Sequence, residues 1–124
     1  MSKISYSAVV LDDKSREKLI QKYKSLVPEG WDIVCHHMTI NMGELNDSMK
    51  DDIGEEVKLV VHSFGIDKLV LAFGVIGYPT KNKIPHITFA VNRKDGGKPV
   101  MSNKITNWKK ISNIVVTGVV TEIW

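Results

Sequence analysis

Only one stretch of the chain has the residue spacing of an amphipathic helix, and this limits the fold more than any other feature. Between residues 14 and 27, apolar side chains recur three or four residues apart and form one helical stripe: Leu19, Ile20, Tyr23, Leu26 and Val27. Asp12 and Asp13 come just before the stripe, where acidic residues suit a helix N-terminus, and Pro28 with Gly30 ends it. We therefore predict one long helix near the start of the chain.

The other apolar stretches are rich in β-branched and aromatic residues and are typical of strands. Segments 57–64 and 68–76 flank a short connection and have the pattern of a hairpin. Further strands are predicted over residues 4–11, 31–42, 85–91 and 114–123, whereas 43–52, 78–84 and 93–103 are polar or rich in turn residues. The 124 residues, 43% hydrophobic and 25% charged, fit a single domain over residues 1–124. The order of elements predicts an α+β fold in which antiparallel sheet predominates.

Two of the predicted strands contain the same arrangement of a histidine, an apolar residue, a threonine and a second apolar residue. The stretch CHHMTIN carries His37 and Thr39, and PHITFAVN carries His86 and Thr88. Side chains alternate across a strand, so each histidine shares a face with its threonine. The apolar members point the other way, into a core: Met38, Ile40, Ile87 and Phe89. If the two strands lie close together, the four polar groups converge on one cleft.

A single copy of this arrangement has an ordinary explanation, because threonine favours strands and histidine is often half-exposed. Two copies are more informative, since imidazoles exchange protons near neutral pH and hydroxyls are neutral donors. The tetrapeptides HMTI and HITF match the signature of the 2H phosphoesterases. The chain resembles this superfamily, and within it the cyclic phosphodiesterase domains of fungal and plant tRNA ligases and their small stand-alone relatives. The resemblance implies a central cleft between two pseudo-symmetric lobes, although only one clear helix is present.

The resemblance also implies an activity. It is that of a metal-independent phosphodiesterase that hydrolyses a 2′,3′-cyclic phosphate on an RNA end or a nucleotide and leaves a 2′-phosphate. Of His37 and His86, one would act as general base towards the attacking water and the other as general acid towards the departing sugar oxygen. Thr39 and Thr88 would donate hydrogen bonds to the non-bridging phosphate oxygens. Which histidine is the acid stays open.

Candidates for substrate binding are loop residues that can approach a phosphate and aromatic residues that can stack on a base. They are Tyr6, Lys81, Lys83, Lys98, Ser102, Asn103 and Trp108, with Trp31 as an alternative to Trp108. The formal net charge of +3 suits an anionic ligand but is too small to establish nucleic-acid binding.

We expect neither a metal nor a cofactor, because the ligand spacings H-E-x-x-H and paired C-x-x-C do not occur in the sequence. His36 is out of phase with His37 and is expected to be packed or hydrogen-bonded. The single Cys35 is interpreted as a small buried hydrophobic residue and not as a nucleophile. The sequence shows neither a signal peptide nor a membrane span, so we expect a cytoplasmic protein. No obligatory protein partner is evident from the sequence.

Two alternative functions stay open. Related two-histidine proteins act as nucleases on cyclic di- or oligonucleotide signals, which requires a cleft wide enough for two bases. The second alternative is a noncatalytic RNA-binding module in which the two pairs only bind phosphate.

Overall fold

The strands and the helix were located in a computed structural model, which describes residues 4–124. Within those residues there is one α-helix, α1 (Asp13–Tyr23). The strands are β1 (Tyr6–Leu11), β2 (Asp32–Ile33), β3 (His37–Asn41), β4 (Glu56–Ile66), β5 (Val70–Ile76), β6 (His86–Val91) and β7 (Trp108–Ile123). Short 3-10 helices cover Lys24–Leu26, Asp47–Asp52, Arg93–Asp95 and Pro99–Lys104.

Six of these strands form a closed ring. Their order is β6, β3, β1, β7, β4 and β5, and β5 pairs with β6 to complete the ring. Every pair in the ring is antiparallel, and the two-residue strand β2 adds to β6 next to β3. The expected α+β fold with two lobes and a central cleft is therefore wrong. Residues 4–124 form a small, mainly β barrel with one short helix, because pairing between β5 and β6 closes the sheet on itself.

The inside of the barrel is filled by apolar side chains that alternate along the strands. Met38, Ile40, Ile87 and Phe89 are almost fully buried there, as the alternation predicted. A second, smaller apolar cluster, formed by Val70, Ala72, Val91 and Ile105, lies apart from this interior. The 3-10 helix Pro99–Lys104 contacts β5 and β6, and its Met101 packs on this second cluster. Strand β6 is consequently buried along its whole length.

The helix begins where the sequence predicted but is shorter. The Asp12 carboxylate caps it by accepting a hydrogen bond from the Ser15 amide at 2.7 Å. Leu19 is fully buried against the barrel interior. After Tyr23 the chain tightens into a 3-10 turn, so the predicted helix over residues 14–27 is reduced to 11 residues. No helix in residues 4–124 is long and apolar enough to span a membrane.

Several strand boundaries also differ from the prediction. The single strand expected over 31–42 is interrupted at Cys35, whose φ of 43° does not fit an extended strand. The hairpin of β4 and β5 is confirmed, with Asp67 accepting hydrogen bonds from the amides of Leu69 and Val70 at its turn. The last strand begins at Trp108 instead of residue 114, because residues 108–110 pair with the end of β4.

Candidate active site

The two histidine-threonine pairs line a single cavity on neighbouring strands. Strands β3 and β6 pair antiparallel with Met38 opposite Ile87. The residues that flank this pair are His37 and Thr39 on β3 and His86 and Thr88 on β6. The cavity has a volume of about 300 Å³ and is lined by Tyr6, His37, Thr39, Met42, Asn82, His86, Thr88, Pro99, Val100 and Asn103. We call it the histidine cavity.

His86 is held in one tautomer by the backbone. Its Nδ1 lies 2.8 Å from the carbonyl oxygen of Ile84, which can only accept, so Nδ1 carries the hydrogen. Burial lowers the pKa of His86, and the hydrogen bond to Ile84 offsets part of this effect. Only 6% of the residue is exposed. Neutral His86 therefore offers the lone pair of Nε2 as its acceptor.

His37 lies half-buried between two other rings. Its centroid is 5.0 Å from that of Tyr6, and its Nδ1 is 2.8 Å from the Nδ1 of His36. The pKa of His37 is lowered to about 4, mainly by burial and further by the charges that His36 and His86 carry when protonated. His37 is therefore neutral near pH 7.

The two threonines differ in their hydrogen bonds. Within residues 4–124 the Thr39 hydroxyl has no hydrogen-bond partner, so it is free to donate to a ligand. Thr88 donates to the Pro99 carbonyl oxygen at 3.2 Å and lies 2.8 Å from the Ser102 hydroxyl. Since a hydroxyl has one hydrogen, Thr88 would have to exchange its partner before it could donate to phosphate.

The other predicted binding residues have different positions. Tyr6 and Asn103 line the histidine cavity, whereas Ser102 is buried behind Thr88. Lys81 lines a separate cavity of about 240 Å³ with Ile40, Asn41, Asn46, Met49, Pro79 and Thr80. Lys83 and Lys98 are exposed and line neither cavity, and Trp108 donates to the Ile105 carbonyl oxygen while packing on the second apolar cluster.

Four residues that line the histidine cavity were not predicted from the sequence: Met42, Asn82, Pro99 and Val100. Pro99 and Val100 belong to the glycine-containing loop that was expected near the phosphate. Asn82 lies between Lys81 and Lys83, the two lysines that were predicted to bind substrate. Met42 had no comparable signal beyond its place directly after β3. Met42 is 76% exposed and Val100 65%, so two large apolar side chains stand at the mouth of the cavity.

Cys35 is fully buried, as predicted, and burial raises its pKa to about 12. In the described part of the chain no three His, Cys, Asp or Glu side chains are grouped so that they could hold a metal ion. His36 is exposed and hydrogen-bonded to His37, which fits the expectation that it would be packed or hydrogen-bonded.

Comparison with known proteins adds no family assignment. Neither a family model nor a curated protein sequence matches the chain.

Proposed function

We propose that the protein is a phosphodiesterase that hydrolyses a 2′,3′-cyclic phosphate on an RNA end or a nucleotide, using two histidines and no metal. The observation that carries this proposal is that His37 and His86 line one cavity of about 300 Å³. The hydroxyl of Thr39 and the amides of Asn82 and Asn103 line the same cavity and supply neutral hydrogen-bond donors. Such donors suit a cyclic phosphodiester, which carries one negative charge.

The fixed tautomer of His86 supports its assignment as the general base. Its Nε2 lone pair takes a proton from water as the water oxygen attacks phosphorus. The bond between phosphorus and the 3′ oxygen breaks, and the Nε2–H of His37 passes to that oxygen while the Nδ1 of His37 takes up a replacement proton. The product carries a 2′-phosphate and a 3′-hydroxyl, and the water supplies both the new phosphate oxygen and one proton.

The mouth of the cavity supports a nucleotide substrate. Tyr6 lies beside His37, and the exposed Met42 and Val100 offer apolar surface to a ribose or a base. No lysine or arginine among residues 4–124 lines this cavity, so the phosphate would be held by imidazole and by neutral donors.

A substrate panel tests the proposal. The protein is incubated with a 2′,3′-cyclic mononucleotide, an RNA ending in a cyclic phosphate and a 3′,3′-cyclic dinucleotide, and the products are separated by chromatography. We expect turnover of the first two substrates and a 2′-phosphate product. Turnover of the dinucleotide alone would favour a signal-degrading nuclease, and RNA binding without turnover would favour a binding module.

Two variants and one control then test the roles of the histidines. In His86→Asn the amide can still donate to Ile84 while the basic Nε2 is lost, and His37→Gln removes the proposed acid. Each should lower kcat by at least about 10²-fold, the usual contribution of a general acid or base. His62→Ala changes a partly exposed histidine outside the cavity and should retain activity. Loss of wild-type activity in EDTA, with recovery on adding zinc, would refute the metal-independent mechanism.

A further inference from the structure

His36 lies beside the histidine cavity but has no role in the reaction proposed above. It is exposed and lies outside the lining of the cavity, but its Nδ1 is 2.8 Å from the Nδ1 of His37. The two rings are nearly perpendicular, at 82°, with their centroids 5.1 Å apart. An Nδ1 to Nδ1 contact of this length requires one hydrogen between the two nitrogens, so one ring donates and the other accepts.

The local backbone makes this contact possible. Consecutive residues of a regular strand point to opposite faces, which would separate His36 from His37. Cys35 has a φ of 43°, and β3 begins only at His37, so His36 lies where the alternation is broken. The carbonyl of His36 accepts a hydrogen bond from the Leu11 amide at 2.9 Å, which ties this residue to β1.

Among residues 4–124, no carboxylate hydrogen-bonds to the His37 ring or shifts its pKa; its aromatic and titratable neighbours are Tyr6, His36 and His86. Burial and these neighbouring imidazoles disfavour a proton on His37 itself. The His36 ring, in contrast, is exposed to solvent. The proposed general acid therefore lies in hydrogen-bond contact with a solvent-exposed imidazole.

We propose that His36 is a positioning residue that orients the His37 ring and supplies the proton that His37 delivers to the leaving oxygen. This inference rests on the proposed phosphodiesterase function. In the starting state His36 is protonated on both nitrogens and donates Nδ1–H to the Nδ1 of neutral His37, whose own hydrogen is on Nε2 and faces the cavity. As the bond from phosphorus to the 3′ oxygen breaks, Nε2–H passes to that oxygen and Nδ1–H passes from His36 to His37. His36 ends as the neutral Nε2–H tautomer and His37 as the Nδ1–H tautomer. The cycle closes when Nε2 of His37 takes a proton from water, Nδ1–H returns to His36, and His86 releases its proton to water.

Two variants of His36 separate proton supply from orientation. His36→Asn keeps an N–H close to the position of Nδ1 and can hold the His37 tautomer, but it cannot give up a proton. His36→Ala removes both functions, and His62→Ala is the matched control. We expect both His36 variants to lose about 10- to 100-fold in kcat near pH 7, the range seen when the partner of a metal-bound imidazole is removed. Their pH optimum should move to lower pH, because His37 must then take its proton directly from solvent.

A pH profile that is unchanged in His36→Ala would overturn the proposal. Full activity in His36→Asn would show that His36 only orients the His37 ring, and it would refute the proposal that His36 supplies the proton. ¹⁵N NMR of the imidazoles gives a readout that does not depend on turnover: neutral His37 should carry its hydrogen on Nε2 in the wild type, and His36→Ala should change its ¹⁵N shifts. If the ¹⁵N shifts of His37 are the same in the wild type and in His36→Ala, the contact is disproved. If these shifts change but the protein turns over no substrate, only the phosphodiesterase function is refuted.

Discussion

The low proton affinity of His37 predicts a measurable loss of stability in mild acid. Its pKa is lowered to about 4 in the folded protein, against an ordinary value of 6.5. Between these two values the unfolded chain binds a proton that the folded chain does not, so stability falls as the pH falls from about 6.5 towards 4. With a slope of at most about 1.36 kcal/mol per pH unit, lowering the pH from about 7 to about 5 costs about 2 kcal/mol.

Urea denaturation at about pH 7 and about pH 5 measures this cost, since carboxylates of ordinary pKa stay mostly ionised over that interval. His37→Gln removes the titrating group, so the loss of unfolding free energy between the two pH values should be about 2 kcal/mol smaller than in the wild type. The lowered pKa of His86 acts in the same direction and persists in the variant. The control variant His62→Gln leaves His37 in place and should retain the contribution of His37 to the loss. An equal loss in the wild type and His37→Gln would show that the folded state does not disfavour a proton on His37.

Three further predictions follow from individual contacts. Thr88→Val should lower the unfolding free energy by about 1 to 3 kcal/mol, because the buried Ser102 hydroxyl loses its hydrogen-bond partner. The double variant Thr88→Val with Ser102→Ala should recover part of this lost free energy in the same urea assay. The Cys35 thiol should react with a disulfide reagent at least on the order of 10²-fold more slowly in the folded protein than in urea, because it is buried and its pKa is raised to about 12. Equal rates in the two conditions would contradict the burial of Cys35. Asp12→Ala should cost about 1 kcal/mol through loss of the helix cap, whereas Asp12→Asn should cost less, as thermal unfolding can show.

The features that the sequence predicted correctly depend on residues close together in the chain. The hairpin of β4 and β5 needs only a short connection, and Asp67 stabilises it through neighbouring amides. The start of α1 needs only the Asp12 cap. Likewise, strand alternation was enough to direct Met38 and Ile87 into the core and to orient each histidine with its threonine.

The features that the sequence did not reveal depend on distant partners or on an irregular backbone. Strands that follow one another in the chain commonly pair, as 70–76 does with 86–91, but nothing in the sequence indicates that 86–91 also pairs with 37–41. Together these pairings close the barrel and exclude the two lobes that the resemblance implied. Residues 108–113 do not alternate between apolar and polar side chains. They belong to a strand because residues 108–110 pair with the end of β4. The positive φ of Cys35 was likewise invisible in the sequence, so the contact between His36 and His37 was missed.

Closure of the barrel also determines what has to move when a ligand arrives. Enzymes with a site between two lobes often bring their catalytic groups together by swinging one lobe about a hinge. Here His37 and His86 are carried by strands that hydrogen-bond to each other and to further neighbours, so their separation is set by the sheet before any ligand enters. The cavity residues outside the sheet are Met42, Asn82 and the three on the 3-10 turn Pro99–Lys104, namely Pro99, Val100 and Asn103. Ligand capture should therefore involve adjustment of this turn and not reorientation of one half of the molecule.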